Sequence, residues 1–422
     1  MKFLRVGICA LVVFAVAAHG GVEDWAQAVL ETGAGLLFLA WSLWLYFNRE
    51  EQPFFSPLLL PLAALSLIVL AQWFFRWTAS PYNARIELLL LLADLIVLFL
   101  AVQAFRTLED WRGFVWFGMG FGFLVSMFAI LQHLTSNGKL YWVREIRYGG
   151  LPFGPYVNRN HFAGFVELVL PLALVPLVLG RVRRERWPIV GLFAVLPIGA
   201  LFLSASRGGL VSFGAELGVL ALVMIRRRKT GKQLLPGVAV LLAALLLVSW
   251  LGVGQILERL SSVQLLEVSS GKRASMRRDT WRIFLDHPFV GTGLGTLQIV
   301  YPPYETLYDG KIVNHTHNDY LEALAETGIV GGLCCAWFLG VLFSESLRRL
   351  RQLNNSFAGA LQLSGLVACS GFLVHSLVDF NLHIPSNVLL FFLMAHLATS
   401  EIQPATPPST PYRSRHRNPR NH

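Results

Sequence analysis

The chain has 422 residues, 55% of them hydrophobic and only 14% charged, whereas soluble globular domains carry about 25% charged residues. With a mean hydropathy of +0.55, this composition excludes a water-soluble fold and requires lipid as the solvent. The net charge of +10 does not signal nucleic acid, because the basic residues are scattered between apolar runs and form no aromatic-interleaved soluble face.

Apolar runs long enough to cross a hydrocarbon core of about 30 Å recur along the whole chain. In chain order they are predicted at 4–18, 27–46, 54–75, 86–105, 113–134, 161–180, 188–203, 209–225, 234–252, 328–347, 357–378 and 384–399. The first follows Lys2 and Arg5 and ends in small residues, so it reads either as a membrane helix or as a signal peptide. Cys9, Cys334, Cys335 and Cys369 all fall inside apolar runs, where they act as small buried hydrophobes rather than as a disulfide framework. The pattern predicts an all-α polytopic membrane domain over residues 1–402, with about twelve transmembrane helices and one long external loop at about 253–327. From Gln403 onward the chain is rich in Pro, Arg and Asn, and a disordered tail is expected over 403–422.

Cytoplasmic loops retain Lys and Arg during insertion. One set of alternate loops collects most of them, including Arg183, Arg184, Arg226, Arg227, Arg348 and Arg349, so that side is expected to be the cytoplasm and to hold both termini. The unusual polar residues fall on the other side: Asn158, Asn160 and His161 before the sixth run, Ser204, Ser206 and Arg207 after the seventh, and Asp379, Asn381 and His383 between the last two. The long loop adds Arg273, Arg277, Arg278, His287, His315, His317 and Asn318. Unpaired charge at a membrane costs several kcal/mol, so Arg and His gathered on one face point to a site. Asp94, Glu167 and Glu216 lie inside apolar runs; Glu167, seven residues after Asn160, either extends a polar cavity or bonds a neighbouring helix.

Four of these segments carry a resemblance. The stretch from Phe153 through Asn158, Arg159, Asn160 and His161 to Gly164 resembles the Asn-bearing segment of the O-antigen ligase and polymerase family, and Ser204-Ala205-Ser206-Arg207-Gly208-Gly209 is similar to its Ser-Arg-Gly turn. Arg277-Arg278-Asp279-Thr280-Trp281, running on to His287-Pro288, resembles its Arg-to-Trp motif. His315-Thr316-His317-Asn318-Asp319, followed by Glu322 and Glu326-Thr327-Gly328, resembles its His-Asn motif. Together they span roughly residues 150–330, and their order and spacing are more specific than any one of them.

The resemblance implies a GT-C-like fold in the bacterial inner membrane and a glycosyltransferase working at the periplasmic face. Its donor would be a glycan on undecaprenyl pyrophosphate, its acceptor the lipid A core or a growing glycan, and its surroundings membrane lipids. Such a reaction needs a base for the acceptor hydroxyl and positive charge for the departing pyrophosphate. His317 matches the family's histidine and is the first candidate for the base, with His315 second. Arg207 and Arg277 are the candidates for the pyrophosphate, with Arg278 in reserve, since guanidinium groups grip phosphate bidentately. Asn158, Asn160, Asn318 and Asp379 are candidates for contacts to glycan or acceptor. No metal or other cofactor is expected: the chain contains no Asp-x-Asp, and His315 and His317 lack an evident third zinc ligand. A repeat-unit polymerase and a protein O-oligosaccharyltransferase would use similar parts. A lipid-linked glycan flippase would also be helical, but would place its polar site near the midplane.

Overall fold

The computed structural model describes residues 1–145, 151–226, 235–261, 263–352 and 356–403. Apart from Gln403, the expected disordered tail lies outside the described residues. In order, the helices are α1 (Lys2–Ala17), α2 (Asp24–Phe47), α3 (Leu59–Phe74), α4 (Pro81–Ala104), α5 (Leu108–Leu134), α6 (Arg159–Val169), α7 (Pro171–Val178), α8 (Trp187–Ser204), α9 (Arg207–Arg226), α10 (Leu235–Ser261), α11 (Val263–Asp286), α12 (Leu297–Val300), α13 (Asp319–Gln352), α14 (Phe357–His375) and α15 (Pro385–Thr399). Every predicted apolar run falls on a helix, and among the described residues eight helices are long and apolar enough to cross a membrane, with α6 and α7 making one span. The helix satisfies its own backbone polar groups, which hydrocarbon cannot do, and this is why so apolar a chain folds this way.

Local signals set the ends. Ser80 accepts from the Asn83 amide with Pro81 in the first turn of α4, and Thr107 and Asp110 form a reciprocal capping box at the start of α5. α14 packs on α15, α9, α7 and α6 and forms the buried centre of the bundle. Large apolar side chains such as Leu36, Leu39 and Leu43 on α2 and Leu246 and Trp250 on α10 are exposed instead. An outer apolar surface of this kind suits contact with lipid.

Hydrogen bonds identify the two ends of the bundle. At one, Arg5 pairs with Asp110, the Leu108 amide donates to the Gln403 carbonyl, and Arg349 pairs with Glu401. At the other, the Ser386 amide at the start of α15 donates to the Gly20 carbonyl after α1, and Asn83 at the start of α4 donates to the Gly295 carbonyl.

The region read as a long loop is largely helical, because α10 runs past its apolar part to Ser261 and α11 follows. Met276 and Ile283, seven residues apart on one face of α11, pack with Leu297, Tyr301, Val313 and Ala325 into a small second core. α13 likewise begins nine residues before the predicted run and breaks at Gly328. There φ is +65°, and a Cβ would lie 2.1 Å from the Phe289 carbonyl oxygen, so only glycine admits the inserted strand of chain. The amides of Ile329 and Val330 donate to the carbonyls of Pro288 and Phe289, which ties the His287-Pro288 motif to the Glu326-Thr327-Gly328 motif.

Candidate functional site

The polar motifs converge where α6, α9 and α13 begin and where α14 turns into α15. A chain of hydrogen bonds links four of them: Ser206 donates to the Asn160 side-chain oxygen at 2.9 Å, Asn160 donates to Asp379, and Asp379 lies 3.1 Å from Nδ1 of His317. Four segments that are distant in sequence are therefore linked by side-chain hydrogen bonds. Asp379 is 1% exposed and also accepts from the Phe380 amide at 3.0 Å. Burial favours its neutral acid, but the hydrogen bond from His317 and the nearby His161 and His375 outweigh burial and hold the carboxyl well below the usual carboxylate range. The Asp379 carboxylate faces Nδ1 of His317 and orients the ring, and the His317 side chain remains 23% exposed.

His317 has a φ of +55°, a left-handed conformation that costs a non-glycine residue roughly 1–2 kcal/mol. Its neighbours hold it there. The Thr316 amide donates to Glu322 at 2.8 Å, while Asn318 accepts from the Leu321 amide and donates to the Leu377 carbonyl. Asn158 accepts from the Asn160 amide and caps α6. The side chains of Asn158 and Asn318 are thus engaged in shaping the two loops, whereas Asn160 is part of the polar chain itself.

Arg207 is the first residue of α9, directly after Ser206 in the hydrogen-bonded chain, and is half-buried. On α11, Arg273 donates to the Val378 carbonyl at 3.2 Å and Thr280 lies 3.1 Å from Thr316. Arg277 lies between these two positions on one helical face, four residues after the first and three before the second, so it shares the face of α11 that meets Val378 and Thr316, the chain neighbours of Asp379 and His317. It is half-buried, while Arg278 is exposed on the next face.

A second cluster adjoins the first. His315 Nδ1 lies 2.7 Å from Glu322, and His383 lies 3.0 Å from Asp319 through Nδ1 and 3.4 Å from Glu322 through Nε2. Phe380 is the common wall, with its ring stacked on His315 and edge-on to His317 and His161. Burial disfavours a charged His383, but Glu322 and Asp319 prevail and its pKa is pushed up to about 10. The sequence motifs contain Asp319 and Glu322 without giving either a role. Their i, i+3 spacing, which places both carboxylates on one helix face, is the signal that could have found them. Nothing in the sequence marks Phe380.

Glu167 bonds across to α14, with its carboxylate 2.9 Å from His375 and both side chains fully buried, so of its two expected roles it fills the interhelical one. Among the described residues Glu216 has no hydrogen-bond partner for either oxygen, and Asp94 is buried in α4. The glycine run at 291–295 is a turn clamped to α13: Glu326 accepts from the amides of Gly295 and Leu297, and Gln72 donates to the Val290 and Glu326 carbonyls.

Residues 192–336 match the family model described as O-antigen ligase. The match takes in Arg207, Arg277, His315, His317 and Glu322, and ends before Asp379 and His383. No curated protein matches the chain.

Proposed function

From a chain whose residues 192–336 match an O-antigen ligase domain, we propose a glycosyltransferase that moves a glycan from undecaprenyl pyrophosphate to a hydroxyl of the lipid A core. The proposed setting is the bacterial inner membrane, crossed by twelve helices in a GT-C-like arrangement, with both termini cytoplasmic and the site at the periplasmic face. The uneven distribution of Lys and Arg supports this orientation, as does the position of Arg5 and Arg349 at the end of the bundle opposite His317.

In this reading the acceptor oxygen bonds to the anomeric carbon as the bond from that carbon to the pyrophosphate oxygen breaks. Nε2 of His317 takes the acceptor proton, and the pyrophosphate departs with the electron pair. Asp379 sets the tautomer and balances the imidazolium that forms; Asn160 and Ser206 hold Asp379. His315, whose Nδ1 faces Glu322, is the second candidate for the base. Arg207 and Arg277 receive the charge developing on the pyrophosphate, Arg278 remains in reserve, and the N-termini of α6 and α9 add partial positive charge nearby. Because guanidinium groups carry this charge, the mechanism invokes no metal at the pyrophosphate and no cofactor.

The observation that carries the proposal is the Ser206–Asn160–Asp379–His317 chain, which brings the base candidate beside the Ser-Arg-Gly turn. Purified protein in lipid nanodiscs, given the lipid-linked glycan and acceptor, is expected to form product without ATP or added divalent metal, and His317→Ala to abolish it. Movement of the lipid-linked glycan across liposomes with no product would point to a transporter instead. In cells, loss of a ligase leaves bare lipopolysaccharide core, while loss of a polymerase leaves a single capped repeat.

A further inference from the structure

His315, Glu322 and His383 lie beside the Ser206–Asn160–Asp379–His317 chain rather than in it. Each offers one ligand atom, and these atoms all lie within 4.8 Å of one another. Zinc bonds of about 2.0–2.2 Å place tetrahedral donor atoms roughly 3.3 Å apart; His383 Nε2 and Glu322 Oε1 are separated by 3.4 Å, and His315 Nδ1 lies 2.7 Å from the same oxygen. Two imidazoles and one carboxylate suit a zinc-class ion with a fourth position open.

Two further features mark a built site. Asp319 lies 3.0 Å from Nδ1 of His383, which fixes the ring so that Nε2 faces Glu322, and the Thr316 amide donates at 2.8 Å to the second oxygen of Glu322. Outer carboxylates and amides that orient ligands in this way are characteristic of metal centres. Asp319, Glu322, Glu326 and, from α4, Glu87 are the carboxyl groups that share the neighbourhood of His315 and His383.

We propose that His315, Glu322 and His383 bind a divalent ion of the zinc class that staples the loop carrying His317 to the joint carrying Asp379. The connectivity gives the staple its purpose. His315 is two residues before His317, His383 is four residues after Asp379, and Glu322 stands on α13, which both loops adjoin. An ion there holds the base candidate and its orienting carboxylate in register, and does not touch the pyrophosphate. The binding claim is independent of the proposed transfer reaction, and only its consequence for positioning rests on that reading.

The test uses the full-length protein in detergent and needs no substrate. After chelation and dialysis against Zn²⁺, elemental analysis is expected to find about one zinc per chain. Co²⁺ in its place is expected to give intense visible bands of tetrahedral type. Glu322→Gln and His383→Ala should reduce both signals to background, His383→Cys should retain bound metal, and His287→Ala, outside the cluster, should match the parent. Zn²⁺ should raise the melting temperature of the parent protein but not of Glu322→Gln. A parent chain holding well below one equivalent of zinc overturns the proposal whether or not the variants fold, and so does a cobalt spectrum unchanged in Glu322→Gln.

Discussion

Replacing Asp379 with asparagine tests the proposed mechanism most directly, because it removes a charge while keeping shape. The carboxylate accepts from His317 at 3.1 Å, from Asn160 and from the Phe380 amide at 3.0 Å, in a setting that is 1% exposed. A charge-assisted hydrogen bond lost from such a place is worth about 1.5–3 kcal/mol, or roughly a 10- to 150-fold loss in rate. A tautomer penalty adds to it. The asparagine amide, if turned toward His317, donates where the carboxylate accepted; the Nδ1 proton then moves to Nε2 and the lone pair facing the acceptor is lost. Where a histidine base depends on a carboxylate in this way, the Asp→Asn exchange costs about 10⁴ in kcat. The expected fall therefore lies between about 10² and 10⁴, in kcat rather than in donor KM. The assay is single-turnover transfer from a lipid-linked glycan in nanodiscs, with the melting curve as a check on folding. Because the two residues act as a unit, adding Asp379→Asn to His317→Ala should cost nothing further. A folded Asp379→Asn protein within about threefold of parental kcat, well short of the loss expected for one charge-assisted bond, would refute the His317–Asp379 assignment.

Arg277→Lys is expected to lose most transfer activity while Arg278→Ala keeps it, since an ammonium cannot reproduce the bidentate fork and Arg278 faces outward; equal losses from both would show that the half-buried face of α11 is not the one used. Ser206→Ala deletes the first bond of the polar chain, worth about 1 kcal/mol, so kcat should fall by roughly fivefold with little change in melting temperature. An unchanged kcat in that variant would mean that Asn160 is held without Ser206. Gly328→Ala forces a side chain against the Phe289 carbonyl at a positive φ, and overpacking of this kind costs about 1–3 kcal/mol or more. A lower melting temperature or poor insertion is expected, and unaltered stability would show that the helix break relaxes freely.

Gly328, Phe380 and His383 show in different ways how much was legible beforehand. The Glu326-Thr327-Gly328 motif was visible, but read as the edge of a span rather than as a break that admits the 287–290 segment, since a positive φ leaves no mark beyond the glycine itself. Phe380 carries no mark at all: one aromatic residue in an apolar chain is unremarkable until three imidazoles pack on it. His383 was grouped with Asp379 by topology alone, and its pairing with His315 depends on how α14 meets α15. His315 and His317 look like partners because they are neighbours in a short loop, whereas the fold sets the ring of His383 beside His315.

The sequence by itself determined that the chain is a helical membrane protein and where each apolar run lies, because lipid imposes length and composition locally on every span. The resemblance to the O-antigen ligase family was legible in the same way, since it rests on short stretches whose order survives without a fold, and residues 192–336 match that family's model. Only the tertiary structure decided which polar groups meet. The Ser206–Asn160–Asp379–His317 chain links four separate segments, and the burial of Arg277 rather than Arg278 depends on α11 being bracketed by Val378 and Thr316. Hydrogen bonds between residues 46 to 219 positions apart are set by helix packing, and no local pattern encodes them.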